Sequence, residues 1–408
     1  MTGPARAGIV FPLSARGVLW FLGLVMTLTE ILSNEELRRH EFPVVKDSTF
    51  LSHASVCPLP RRVAEAVQSY ATACTHGDQE EQIPGGLVRE TRDLAAKLLG
   101  AQSDEIALVG STSLGLSFVA GGLNFRKSEN IIVYHDDFPT NVYPWMALAE
   151  RGVQVRLLNV KQLGRIRPID ILGQVDESTR LVALTSCHFI SGWRIELNAI
   201  GRLLGERRIL FAVDGIQTLG AFPTPAGHVD FLAADAHKWL LGPLAAGILY
   251  VRKDRQEMLK PLVHGWANLE CPDYVAQAGL KFRSGARRYE AGSLNILGIA
   301  GLHAGLKLID EIGIDAIAAE LLRKRKLLVD GLMAKGWGVL LPDAPEANAS
   351  GIVSFWGDES ETKALWARLG AAKISTSLRS TRDGKKFIRV SPHFYNTDAE
   401  LHRLLELA

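Results

Sequence analysis

The 408-residue sequence is short of several things, and each shortage excludes a class of function. It has four cysteines, Cys57, Cys74, Cys187 and Cys271, and no CxxC pair. That argues against a disulfide framework and against a zinc site of the usual spacing, so no metal centre is expected and a reducing, cytoplasmic setting is. An excess of one charge is missing too: 46 Lys plus Arg against 44 Asp plus Glu leave +2, with no global attraction to nucleic acid or an anionic membrane. Proline is scarce at 17 residues while 47% of the chain is hydrophobic, which excludes a disordered or fibrous protein. Long apolar runs are also absent. The stretch from Ile9 to Leu32 is broken by Pro12 and Arg16, and its uninterrupted part, Gly17 to Leu28, falls short of the roughly 18 to 20 residues that span a bilayer. Residues 1–25 therefore read as a non-conforming N-terminal extension, with an ordinary amphipathic start from Met26.

What is present is a repeated alternation. EIALVG, NIIVY, VQVRLLNV, TRLVALTSC, ILFAVDG and GILYV are short continuous apolar runs, separated by segments of helical periodicity. Such runs are strands buried on both faces, so the expected class is α/β with a mainly parallel sheet between helices. Beyond residue 290 the rhythm becomes long helices broken near Gly313 and then short strands, an α+β pattern. The expected division is an N-terminal segment 26–54 lying on the small domain, a large domain 55–290 and a small domain 291–408. The basic run Arg323, Lys324, Arg325, Lys326 reads as a solvated helix face.

Chemistry-bearing residues cluster at the ends of the apolar runs. FAVDGIQ delivers Asp214 and Gln217 at a strand's carboxyl end, where open α/β sheets bind ligands. DAHKWLLGP places Asp235, His237 and Lys238 after the next run, and GSTSLG puts Thr112 and Ser113 at a helix start, whose free N–H groups suit an anion. A carboxylate, an amine and an anion cradle are what pyridoxal 5'-phosphate (PLP) demands of a protein.

From about Leu51 to the C-terminus the sequence resembles the class V aminotransferases, fold-type I PLP enzymes that include cysteine desulfurases, kynureninase and isopenicillin N epimerase-like proteins. The resemblance rests mainly on VDGIQ and AHKWLLGP. It implies a seven-stranded sheet in the large domain, PLP as cofactor and a homodimer with shared active sites. Lys238 would be the Schiff-base lysine and proton shuttle, Asp214 the partner of the pyridine nitrogen and Gln217 a donor to the ring's phenolic oxygen. Thr112 and Ser113 would hold the phosphate, with His237 and Asp235 in the supporting segment. Relatives often carry Ser or Thr where Asp235 stands, and a carboxylate is a poor partner for a phosphate dianion, so Asp235 is expected to bond a neighbouring donor or backbone N–H. Phe138 would cover the ring where desulfurases carry His. Arg389, in FIRVSPHFYNT, would grip the substrate α-carboxylate, Asn141 and Trp145 would line the pocket, and Ser293 would reach the phosphate of the other subunit.

The resemblance implies an enzyme acting at the α-carbon of an amino acid, first of all an aminotransferase, with a C–S or other β-lyase or an epimerase as the alternative. Intact Lys238, Asp214, Gln217 and Arg389 argue against a non-catalytic scaffold. The usual desulfurase loop cysteine is missing, since every cysteine precedes residue 272. An epimerase needs a second acid, for which His53, Tyr143, His188 and His393 are candidates. Trp266, Arg379 and Arg382 are candidates for contact with the substrate side chain.

Overall fold

The computed structural model describes residues 26–408, so the expected extension at 1–25 lies outside the described residues. After a short strand β1 (Thr49–Phe50), the chain alternates strands with helices through β2 (Ile106–Val109), β3 (Asn130–Val133), β4 (Gln154–Leu157), β5 (Thr179–Thr185) and β6 (Leu210–Asp214), and β7 (Phe231–Asp235) and β8 (Gly247–Val251) follow without an intervening helix. Seven of these strands form one sheet in the order β2-β8-β7-β6-β5-β3-β4. Only β8 runs against its neighbours; the other pairs are parallel. Because successive side chains of a strand point to opposite faces, Phe211 and Val213 of β6 enter one apolar core while Leu210 and Ala212 enter the other. This double burial is why the strands read as unbroken apolar runs.

The C-terminal region adds β9 (Gly338–Val339), β10 (Val353–Trp356), β11 (Ile374–Ser375), β12 (Ser377–Ser380) and β13 (Lys386–Val390). Four of them make an antiparallel sheet, β12-β13-β10-β9, whose core is filled by Leu328 and Leu332 of helix Ile314–Ala334, Leu365 and Leu369 of helix Glu359–Ala371, and Leu401 and Leu404 of helix Asp398–Leu407. The N-terminal segment reaches this region directly: β1 pairs in parallel with β11, and Arg38 lies 3.1 Å from Glu400. Residues 51–57 are thereby carried from the small domain to the carboxyl ends of the large sheet, where Cys57 N–H donates to the His237 carbonyl.

The packing corrects one expectation and shows what lies at the expected boundary. The division at residue 290 cuts through a shared core, because helix Ile296–Ile312 buries Ile299, Ala300, Leu302 and Leu306 with the large sheet and only then delivers Leu308, Ile309 and Ile312 to the cluster around the N-terminal segment. The basic run is not a solvated face. Lys324 is wholly buried, 2.7 Å from Glu320 and donating to the Phe394 carbonyl, and Arg325 donates to the carbonyls of Ile352 and Leu341. At 3.6 residues per turn, four consecutive residues sweep the whole circumference of a helix, so part of such a run must turn inward. No helix among the described residues is long and apolar enough to cross a membrane.

Candidate active site

Strands β6 and β7 end side by side in the sheet, and their last residues are Asp214 and Asp235. Between these ends, the start of helix Thr112–Gly122 and the hairpin β12–β13 lies a cavity of about 280 Å³, lined by Ser55, Thr112, Ser113, Phe138, Asp214, Gln217, Asp235, His237, Lys238, Arg379 and Arg389 among others. The sequence expectation brought ten of these residues to attention, all but Ser55, from six separated segments, and the fold gathers them.

At the floor, Asp214 is buried and accepts the Ile216 N–H at 3.0 Å. Burial pushes its carboxyl up to about 6, against the pull of that N–H and of Lys238. The same burial pushes the Lys238 ammonium down to about 8; Asp214 opposes the shift, while Arg389 and Arg379 add to it. Lys238 Nζ lies 5.4 Å from the centre of the Phe138 ring, which is 41% exposed at the pocket wall. Gln217 accepts the Trp239 indole N–H through Oε1 and spends one amide hydrogen on the Ala54 carbonyl, which leaves its second amide hydrogen for the pocket.

At one side, Ser111 caps the helix by accepting the Leu114 N–H, leaving the N–H groups of Thr112 and Ser113, which a first helical turn cannot pair within itself, at the cavity wall. Ser113 Oγ lies 2.8 Å from Thr140 Oγ1, and Thr112 Oγ1 accepts the Asp235 N–H. Asp235 behaves as its chemistry requires: its oxygens accept the N–H groups of Ala236, Ala245 and Ala246, and Oδ2 lies 2.9 Å from His237 Nδ1.

The opposite wall is cationic. Arg389, 1% exposed, donates to the Phe189 carbonyl at 2.7 Å and to Ser55 Oγ at 2.6 Å, and its Nε has no partner. Burial, with Arg379 nearby, pushes its pKa down to about 9. A guanidinium this buried, with no carboxylate in ion-pair reach among the described residues, is an open seat for an anion.

Other expected residues stand elsewhere. Asn141 and Trp145 do not line the pocket: both are fully buried, Asn141 donating to Asp137 and accepting the Trp145 indole N–H. Ser293 and Trp266 line a separate cavity of about 590 Å³. Arg382 sits at the rim, bonded to Asp136 and His135. Of the candidate second acids, His53 bonds Tyr395 and Ser391 and is driven by burial to about 3, His188 bonds Ser191 and Asp136 and is driven to about 4, and His393 bonds the Trp239 carbonyl and is driven well below the ordinary range. Tyr143 is exposed beside the rim. None of the four lines the cavity, and neither does any of the four cysteines.

Sequence reasoning missed Ser55, Phe189 and Asp137. Ser55 and Phe189 are brought in from distant chain segments and carry no local signature. Asp137, buried beneath Phe138, accepts the N–H groups of Phe138 and Thr185 and the Asn141 amide. Its place directly after a strand, in DDFPTN, was the available signal.

The aminotransferase class-V profile matches residues 49–404. The chain belongs to the aminotransferase class-V family. Similar curated proteins include a probable cysteine desulfurase from Methanothermobacter thermautotrophicus, 29% identical over 92% of this chain and 97% of the relative, and the uncharacterized aminotransferase YcbU from Bacillus subtilis, 28% identical over 91% and 97%. A solved complex of the cystine C–S lyase C-DES with cysteine persulfide has the same fold, with a TM-score of 0.82 at 23% identity over 90% of this chain and 98% of that one. This class-V chain is a PLP-dependent enzyme acting on an amino acid. The pocket fits the cofactor on its own evidence: a depressed buried lysine, a buried carboxylate with no ion pair among the described residues, open N–H groups at a helix start and an aromatic ring over the lysine nitrogen.

Proposed function

We propose that this class-V enzyme cleaves the Cβ–S bond of an S-substituted cysteine and releases the sulfur directly, without loading it onto a cysteine of its own. The observation that carries this reading is the placement of the four cysteines. Cys57 and Cys187 are buried, with burial pushing their thiols up to about 12 and about 11, and no cysteine lines the pocket. Relatives named as probable cysteine desulfurases support carbon–sulfur chemistry. The missing second acid argues against epimerisation, because all four candidates stand outside the cavity.

When bound, PLP supplies an aldehyde carbon for the amine and an electron-accepting ring that acidifies the Cα–H. Lys238 would hold it, Asp214 would face its ring nitrogen, and Thr112 and Ser113 would take its phosphate. Phe138 would cover one face of the ring and keep water from it. Arg389 would seat the α-carboxylate through its planar fork and so fix the Cα–H toward Lys238 Nζ. Lys238 Nζ, with its affinity for protons lowered, would accept that proton and return it. The proposed overall reaction balances without an oxidant: an S-substituted cysteine and one water give a thiol, pyruvate and ammonium, the Cβ–S electron pair leaving with sulfur. A homodimer belongs to the same proposal, with Ser293 of each copy serving the other's pocket.

The test is product analysis of the purified holoenzyme with L-cystine and S-alkyl-L-cysteines. Pyruvate is the expected product in both cases, in equal amount with thiol from an S-alkyl-cysteine and with cysteine persulfide from cystine. A keto acid that retains its sulfur would replace this reading with transamination.

A further inference from the structure

The cationic wall holds more charge than one amino-acid carboxylate can use. Arg389 lies on β13 directly opposite Ser377 of β12, and Arg379 lies two residues along β12, opposite Phe387. Alternate residues of a strand share a face, as do residues directly opposite across an antiparallel pair, so Ser377, Arg379 and Arg389 all project from one side of the hairpin. Their shared acceptor is Ser55 Oγ, which receives Arg379 Nη2 at 2.7 Å and Arg389 Nη2 at 2.6 Å and lies 2.7 Å from Ser377 Oγ. Among the described residues, neither arginine has a carboxylate within ion-pair reach, and the buried Nε of each is without a partner.

Several buried cations elsewhere are matched by carboxylates, Arg38 by Glu35 and Glu400, Arg92 by Glu290 and Lys324 by Glu320, while Arg325 is met by the carbonyls of Ile352 and Leu341. Among the described residues, only in the pocket do two guanidinia share a neutral hydroxyl. One α-carboxylate would compensate one of them. The other, Arg379, stands two residues nearer the tip of the hairpin and lines the same cavity, so a second anionic group held there would meet it.

We infer that Arg379 is the seat of a second carboxylate, carried on the substrate side chain, and that the substrate class is dicarboxylic amino acids of the S-substituted cysteine type. This deepens the function proposed above and rests on it for the position of the α-carboxylate at Arg389. A hydroxyl caught between two guanidinia holds the pair apart and ready, and a substrate bearing two carboxylates neutralises both.

The test uses ligands that cannot react because they lack the amine. The PLP-loaded protein is titrated by calorimetry with 3-(carboxymethylthio)propanoate and with its monocarboxylate counterpart, 3-(ethylthio)propanoate. The dicarboxylate is expected to bind about 10- to 100-fold more tightly, the worth of a charge-assisted hydrogen-bonded pair. In Arg379→Gln the ratio of the two dissociation constants is expected to collapse toward one, and in Arg379→Lys to be partly retained, with cofactor absorbance reporting that each variant is folded. Equal affinities in the unmodified protein overturn the inference. So does a ratio that survives in Arg379→Gln, which would make Arg379 a second donor to the α-carboxylate. Because no bond is cleaved, the ratio stands or falls independently of whether the enzyme proves to be a lyase or a transaminase.

Discussion

The floor and the wall of the pocket are built in opposite ways. The floor, Asp214 and Lys238, comes from two adjacent strand ends within 25 positions of sequence, and its two groups oppose one another: burial lifts the carboxyl and lowers the amine. The wall joins Ser55 near the start of the chain to Arg379 and Arg389 near its end, and its charges have no opposite among the described residues. A floor of this kind is complete as protein chemistry and, in the roles proposed above, would serve the cofactor. The wall is complete only when something anionic arrives, so specificity belongs there.

That contrast can be broken from the floor first, where the largest effects are expected. Lys238→Ala should lower kcat at least about 10⁴-fold, since in its proposed roles both the covalent hold on the cofactor and the proton acceptor would be lost, and the visible band of the bound cofactor should change with it. Asp214→Asn should lower kcat/KM about 100-fold or more while stabilising the apoprotein. The sign follows from the raised carboxyl. Its folded value, about 6, exceeds the ordinary 3.8, so the folded chain binds more protons between those values and loses stability as pH rises through that window. The destabilisation is fully present above about pH 6. Thermal melts of the apoprotein should therefore show Asp214→Asn above the parent at pH 7.5, with the gap closing toward pH 4.

The same contrast explains how much could be read from the sequence. Floor residues were legible because a parallel strand delivers its last residue to the ligand side, and VDGIQ and AHKWLLGP are local strings. Arg389 was legible only through family resemblance. Ser55 was not legible at all: its role depends on the β1–β11 pairing, which brings the chain's first segment beside β12, and nothing in SHAS announces a partner more than 320 positions away. Asn141 misled for the converse reason. It stands in a motif beside the pocket, but Asp137 and Trp145 claim both ends of its amide. The inward Lys324 and Arg325 were hidden because a run of charges looks alike whether its partners are water or backbone carbonyls.

On the wall the expected effects are smaller. Ser55→Ala removes the acceptor between Arg379 and Arg389, and the two guanidinia then repel without a tether. KM should rise about tenfold, more than kcat falls, and Ser55→Thr should restore most of the loss by restoring the hydroxyl. A rise in KM matched by an equal fall in kcat would instead place Ser55 on the floor's side of the comparison.

The smallest effect belongs to the rim. Arg382, at the tip of the β12–β13 hairpin, bonds Asp136 at 2.9 Å and the His135 carbonyl at 2.7 Å, joining the wall to the loop that carries Phe138. The pair is exposed, so each contact is worth at most about 1 kcal/mol and is screened by salt. Arg382→Ala should raise KM about two- to threefold at low ionic strength and by less at 0.5 M salt. An effect of the same size at every salt concentration would show that Arg382 acts by shape, and that the hairpin is held against the floor by its apolar residues alone.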